Sequence, residues 1–317
     1  MTSRRLDLII CTYNRSYRLE PLLKNVMTTP VPPGWERRVY LVNNNSSDDT
    51  AEVAERLVEA YGSALSYVFE EKQGLSNARN AGIAAGDGEL VGFVDDDELL
   101  DENWFFEAIQ PFEDRQAIGY ISGTYEPDYA APPPDWLPLK TFPAVIGVIR
   151  LGNRNRDYGP DFDEVMMGGN CVIRRTALDD VGGFNSKLGR SGSGTQTGED
   201  REMQQRLEEA GYRGQYRPRL VIFHHIPEAR MKRSYFIRWA YSDAIFTTRS
   251  DRVIQGRLSR FGLPAWQWRR AGQGLLTYVF GGLFGADPAR RFEGLLNAVL
   301  LAGALVGLMT WSKAKQD

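Results

Sequence analysis

Three adjacent aspartates, Asp95, Asp96 and Asp97, end an apolar run, LVGFV, at residues 90–94. Carboxylates packed side by side repel one another, so the cluster needs solvent or cations to neutralise it. Hard divalent ions such as Mg²⁺ or Mn²⁺ take oxygen ligands and share them with phosphate, which is one chemistry the triplet offers. A solvated acidic turn is the other reading, and the triplet alone does not separate the two. A second acidic pair, Glu199-Asp200, follows the stretch GRSGSGTQTG at 189–198 and opens a helical pattern reaching about residue 210. A carboxylate there suits general-base work on a hydroxyl, although acids at a helix start are also favoured by the helix dipole alone. The glycine stretch is either a plain connection or a lid that orders on a ligand. His224-His225 closes a further short strand. Cys11 and Cys171 stand far apart in apolar surroundings and read as buried reduced thiols, with pairing left open. No Cys/His spacing matches a zinc site.

These groups need a scaffold, and the first hundred residues supply its rhythm. Apolar strands at 6–11, 39–43, 65–69 and 90–94 alternate with helical patterns at 19–27, 49–61, 76–85 and 102–112. Asp49 and Glu52 are spaced as a capping box. The alternation predicts an α/β fold: a mostly parallel sheet with right-handed crossovers and helices on both faces. Ligands of such sheets bind outside the carboxyl ends of the strands, where the triplet sits. The turn after the first strand is Thr12-Tyr13-Asn14-Arg15. No GxGxxG opens the helix there, and no GxxxxGK followed by Ser or Thr occurs, so a dinucleotide oxidoreductase and a P-loop phosphotransferase are disfavoured.

Farther on, residues 117–124 read as a strand and 127–143 as a Pro-rich surface excursion, carrying Pro132, Pro133, Pro134 and Pro138, that leads into a second subregion. GGNCVIRR, from Gly168, is a glycine turn and a short strand; a helix at 175–181 stops at Gly182-Gly183. A strand at 220–223 and an amphipathic helix at 230–249, with Tyr235, Phe236, Trp239 and Ile245 near one face, precede the tail.

The 317 residues, 42 % hydrophobic and 25 % charged, suffice for a sizeable core. A net charge of −3 argues against a nucleic-acid binder. The N-terminal apolar run is too short for a signal peptide and carries Asp7, which sets a cytoplasmic expectation. The tail differs in kind: residues 271–286 and 294–312 carry no charge. Gly303 and Gly307 form a GxxxG that lets helices approach, and Trp311, Lys313 and Lys315 sit as they would at a cytoplasmic membrane surface. Each segment falls slightly short of the ~20 residues that a span requires. Peripheral membrane contact and a homo-oligomer interface both fit.

Taken together, LDLIICTYNR, VNNNSSDDT, EKQGLSNARNAGIAAGDGELVGFVDDDELL and TGEDREMQQRLEEAGYR resemble the family 2 glycosyltransferases of the GT-A fold, over roughly residues 5–230 and in the family's order. The resemblance implies a Rossmann-like central sheet in a domain at 1–228, with a nucleotide-binding half to about 125 and an acceptor-side half at about 126–228. A C-terminal helical region at 229–317 follows. It implies an inverting, metal-dependent transfer from a nucleotide-diphosphate sugar to a glycan or lipid-linked acceptor. Thr12, Tyr13, Asn14 and Arg15 then cradle the nucleotide, with Gly74, Arg79 and Asn80 near the base and diphosphate. Where the family usually has an Asp for the uracil N3–H, this chain has Asn43, whose carbonyl still accepts. UDP is favoured, with dTDP or GDP open.

By the same resemblance the triplet is a DXD motif, with Asp97 the main ligand of Mg²⁺ or Mn²⁺, Asp95 the second, and Asp96 on the ribose or the metal. Gly168, Gly169 and Asn170 match a turn that approaches the donor sugar. Asp200 matches the base, Glu199 orients or touches the acceptor, and His224 or His225, with His225 the metal candidate, falls where some relatives contact metal or diphosphate. Two rivals differ in class: a binding protein that keeps the fold without chemistry, with Asn43 its one supporting feature, and a sugar nucleotidyltransferase. The latter usually carries a Gly-rich basic phosphate loop after the first strand, and TYNR is not one.

Overall fold

A computed structural model describes residues 4–114, 117–190, 198–249 and 263–314. Near the N-terminus each apolar run is followed by a helix that carries the chain back to the same sheet, which is what parallel pairing requires. The order is β1 (Arg4–Thr12), α1 (Ser16–Thr28), β2 (Trp35–Asn43), α2 (Thr50–Tyr61), β3 (Leu65–Phe69), α3 (Leu75–Ala85) and β4 (Leu90–Asp95). These strands lie parallel in the order β3-β2-β1-β4. Their register sets Cys11 opposite Asp95, Thr12 opposite Asn43, and Asn43 opposite Phe69. The carboxyl ends of four strands therefore form one row, with the aspartates at its β4 end.

Beyond β4 the sheet departs from the mostly parallel expectation. The chain continues through β5 (Glu98–Leu100), α4 (Trp104–Asp114), β6 (Ile118–Tyr129), β7 (Arg156–Asp157), β8 (Asn170–Arg174), α5 (Arg175–Val181), α6 (Glu199–Glu209) and β9 (Arg213–Ile226). The sheet order extends as β4-β8-β6-β9-β5, with β4–β8, β6–β8 and β5–β9 antiparallel. Antiparallel neighbours need no crossover helix, so the alternating signal of the first hundred residues could not announce them.

Polar side chains fasten the loops at the row's edge. Asn44 takes the Gly74 N–H on its oxygen (2.7 Å) and donates to the carbonyls of Lys72 (2.8 Å) and Glu70 (3.3 Å), while its own N–H bonds Thr12 O. Asn14, at φ 54°, accepts the Ser47 N–H and donates its own N–H to Ser46 Oγ, locking the first turn to the second. The expected capping box is not formed: Asp49 makes no side-chain cap bond, and Asp48 instead accepts the N–H groups of Thr50 and Ser16. Asp48 wins because it reaches two helix starts at once. Asp7, inside β1 and wholly buried, is satisfied by Arg5, Arg175 and the Gly88 N–H.

The chain divides into two compact units, Met1–Glu126 with Ile149–His225, and Pro127–Val148 with Ile226–Asp317. The Pro-rich stretch, exposed or half-buried over most of its length, opens the second unit. Leu137, Val145, Ile146 and Val148 are buried in the second unit's core, where Trp136 meets Phe236 and Phe292 edge-on at 5.9 and 5.0 Å. Prolines exclude regular structure but not burial. The second unit also holds α7 (Arg233–Arg249), α8 (Ala265–Phe280) and α9 (Pro288–Ala314). Gly303 and Gly307 let α9 press on the α7 backbone: a Cβ there would lie 2.5 Å from Tyr241 O and 3.0 Å from Ile245 O. The GxxxG is therefore used within the chain. The side chains of Trp311 and Lys313, and all of Lys315, lie outside the described residues, as do 191–197 of the glycine-rich loop.

Asn170 shows what the first unit's centre depends on. It is wholly buried, accepts the Trp104 indole N–H (2.9 Å), and donates to Thr124 O (3.1 Å) and Leu220 O (2.9 Å). The donor-sugar contact expected of it is corrected to a tie between strands. Asn170→Ala strands three buried polar groups and should lower unfolding stability by about 2–4 kcal/mol, measurable by urea denaturation.

Candidate active site

The carboxylates of the triplet are not equivalent, because successive residues of a strand and turn point different ways. Asp96 is buried at 6 % exposure, where Thr12 Oγ1 donates to it (2.8 Å) and Arg15 Nη1 sits 2.6 Å away. Asp97 also meets Arg15 (3.0 Å) and lies 3.8 Å from His224 Nε2. Asp95 keeps 42 % of its side chain exposed and faces Arg79 at 3.7 Å. Arg15, from the first turn, thus serves Asp96 and Asp97, while Arg79, from α3, serves Asp95.

A fourth acid, absent from the sequence expectations, completes the cluster. Glu98, 2 % exposed on β5, accepts the Asp95 N–H (2.9 Å), and oxygens of Asp95, Asp97 and Glu98 all lie within 4.8 Å of one another. The β5–β9 register sets Glu98 directly opposite His224. His224, on the buried side of β9, brings its Nε2 to 3.8 Å from Asp97, and the His225 N–H bonds the Asp97 carbonyl (2.8 Å). Glu98 opens the three-residue strand ELL, which is too short to stand out in the sequence.

Arg79 reaches across to the second acidic pair. Its Nη1 donates to Asp200 Oδ1 (2.8 Å), and the Gly168 N–H donates to Asp200 Oδ2 (2.9 Å). The guanidinium is 3 % exposed and lies over Phe184 and Phe93, at 5.0 and 5.9 Å from the ring centres. Asn80 fixes Phe184 by a reciprocal pair of bonds to its backbone (2.7 and 2.8 Å). Backbone proximity explains both glycines of the GGN turn. A Cβ on Gly168 would fall 2.2 Å from Asp200 Oδ1, and one on Gly169 would fall 2.6 Å from Asp95 Oδ2. Gly74 starts α3 at φ 139°, which favours glycine.

Glu199 is 6 % exposed, and its Oε2 has no hydrogen-bond partner among the described residues. Asn43, 2 % exposed, accepts the Ser46 N–H (2.9 Å) and donates to Tyr67 OH (2.9 Å), so one lone pair of its oxygen remains for a ligand. Tyr13 stands 39 % exposed beside this row. Cys11 and Cys171 are both free thiols, and burial pushes Cys11 up to about 12, so neither is a nucleophile at neutral pH.

Proton affinities follow from this crowding. Burial pushes Asp96 up to about 6, against the pull of Arg15 and with Asp97 adding. Burial likewise raises Asp95, opposed by Arg79, and lifts Glu98 well above the carboxylate range with Asp95 and Asp97 contributing. Glu199 is raised by burial and by Asp200. Burial works against the charges of Arg15 and Arg79, but their carboxylate neighbours outweigh it and push both upward. Oxygens of Asp95, Asp97 and Glu98 come within 4.8 Å of one another. Their oxygens and spacing fit a hard divalent cation.

The model for glycosyl transferase family 2 matches residues 7–182. Succinoglycan biosynthesis protein ExoM of Rhizobium meliloti is 25 % identical over 317 residues, covering 98 % of this chain and 95 % of that one. Glucosyl-dolichyl phosphate glucuronosyltransferase of Haloferax volcanii is 24 % identical over 195 residues, 59 % of this chain, which spans 58 % of the Haloferax protein's length. Among solved structures, the mannosyltransferase PcManGT of Pyrobaculum calidifontis, in complex with GDP-Man and Mn²⁺, superposes with a TM-score of 0.62 at 19 % identity, covering 97 % of this chain and 88 % of that one. The fold is therefore GT-A.

Asp96 provides a pH test of the cluster. Its pKa rises from 3.8 to about 6 on folding, so the native chain holds a proton that the unfolded chain releases in that window. With a chelator present, unfolding stability should fall by up to about 3 kcal/mol as pH rises from about 4 to about 6. Asp96→Asn should flatten the slope in denaturation curves taken across that range.

Proposed function

The chain belongs to glycosyl transferase family 2, and from that membership we propose that it moves a sugar from a nucleotide-diphosphate donor to a glycan or lipid-linked acceptor with inversion at C1. The observation that carries this reading is the Arg79 bridge, which puts a carboxylate suited to a hydroxyl proton beside carboxylates suited to a cation. Asp200 takes the proton of the acceptor hydroxyl as its oxygen attacks C1; the bond from C1 to the diphosphate oxygen breaks and its electrons leave with the nucleotide. Arg79 and the Gly168 N–H hold Asp200 by both oxygens, which fixes its aim. Glu199, with a free buried oxygen, orients the acceptor. Asp97 and Asp95, with Glu98, would hold Mn²⁺ or Mg²⁺, which when bound neutralises charge on the leaving diphosphate.

Asp96 acts through Arg15 and Thr12, fixing the first turn rather than touching the cation. Thr12, Tyr13, Asn14 and Asn43, in the row of strand ends, face the nucleotide. UDP fits the Asn43 oxygen, while dTDP and GDP remain within the reading. The expected protein works at the cytoplasmic face of a membrane, where a lipid-linked acceptor is presented. A binding protein without chemistry has only Asn43 in its favour, and a nucleotidyltransferase would need a basic phosphate loop where Arg15 is engaged with Asp96 and Asp97.

The test is release of nucleoside diphosphate from a panel of nucleotide sugars with Mn²⁺. Asp97→Ala and Asp200→Asn should each lower turnover on the order of a thousandfold with the melting temperature kept within a few degrees. Retained turnover in both variants contradicts the assignment.

A further inference from the structure

The second unit carries an apolar surface that nothing covers among the described residues. Leu275, Leu276, Val279 and Phe280, on the last turns of α8, are 46, 61, 58 and 49 % exposed. Leu283 and Phe284, on the turn that follows, are 81 and 84 % exposed. Exposed apolar residues are ordinary when scattered, but six within ten positions make a patch that water disfavours. Gly285, at φ 70°, closes the turn, so Leu283 and Phe284 stand at a tip. The opposite side of α8 is already used: at Gly274 and Gly294 the backbones of α8 and α9 meet so closely that a Cβ on either would lie within 2.5 Å of the other's carbonyl oxygen.

We propose that this tip seats in the headgroup–acyl boundary of an anionic lipid bilayer. Charge complementarity selects that occupant. No charged residue occurs from 271 to 286, and the exposed charges that border the patch are Arg269, Arg270 and Arg290 against the single Asp287. Trp266, 58 % exposed, lies one turn before the arginines, as an aromatic at headgroup level does. The apolar stretch 275–284 is about 15 Å long even if wholly helical, half of a ~30 Å hydrocarbon core, so it enters one leaflet. A bilayer also needs no matching shape for a protruding tip, whereas a second copy of the chain would.

The longer helix is not the anchor. The stretch Pro288–Thr310 of α9 holds an 18-residue window of mean hydropathy 1.8 and, by length and composition alone, is long enough to cross a membrane. Its Phe292 and Leu296, however, are 2 and 1 % exposed in the unit's core, and its glycines face α7. On those sides α9 is held by its own unit and supports the tip. This surface gives the membrane contact of the proposed function a location, and it is read without turnover, so the two can fail separately.

The full chain is sedimented with vesicles of phosphatidylglycerol and phosphatidylcholine in equal parts, while nucleoside diphosphate release is followed in parallel without vesicles. The chain should pellet with the vesicles. In the Leu283→Ser/Phe284→Ser variant the bound fraction should fall about tenfold, with melting temperature and vesicle-free turnover unchanged. Arg269→Gln/Arg270→Gln should weaken binding and remove most of its salt dependence. The proposal is overturned if the full chain stays in the supernatant, or if the serine variant binds as well as the parent. A parent dimer that the serine variant converts to monomer overturns it too, because the patch then faces a second copy.

Discussion

Charge compensation governs this protein. Six carboxylates, Asp95, Asp96, Asp97, Glu98, Glu199 and Asp200, are drawn into one region of the first unit, and two arginines are interleaved with them. Without Arg15 and Arg79 the assembly would be held apart by its own repulsion, or kept neutral by protons. The division is uneven. Arg15 takes Asp96 and part of Asp97, Arg79 takes Asp200 and faces Asp95, and the oxygens of Asp95, Asp97 and Glu98 that remain converge on a space suited to a cation. What looks in the sequence like a redundant triplet is one aspartate tied to the first turn and two whose oxygens gather with Glu98.

The rest of the first unit can be understood as what this arrangement demands. Gly168 and Gly169 are small because Asp200 and Asp95 approach their Cα atoms more closely than a side chain allows. Phe93 and Phe184 form the apolar bed on which a buried guanidinium keeps its direction, and Asn80 holds Phe184 in place. Asn170 and Trp104 tie the strands behind the cleft. Arg79 joins the Asp200 carboxylate to Asp95 through one rigid group.

How much of this the sequence disclosed differs by level. The first four strands and three helices were legible because each is a short apolar run or an amphipathic period, and residues 65–69 and 175–181 were expected within the observed bounds. The antiparallel half was not, since β5 is three residues long and β9 extends well beyond its apolar core into Arg213, Arg217 and Arg219. Residue types at the strand ends marked where the site is, but not who pairs with whom. Asn170 resembled a ligand contact and is a buried tie; of the two histidines named, His224 lies 3.8 Å from Asp97; Glu98 went unnoticed beside a louder triplet. Partners separated by 121 positions, as Arg79 and Asp200 are, leave no local pattern in a single sequence. Composition gave the irregularity of the Pro-rich stretch and its largely solvent-accessible character, but not that Leu137 in it is buried in the second unit's core.

The most direct measurement is a crystal structure of the chain with Mn²⁺ and a nucleoside diphosphate. The account predicts an ion between Asp95 and Asp97 on the Glu98 side, with Asp96 still bonded to Thr12 and Arg15 and with Arg79 still on Asp200. An ion ligated by Asp96, with Arg15 displaced, or an Asp200 carboxylate released from Arg79 and turned from the cleft, would contradict it.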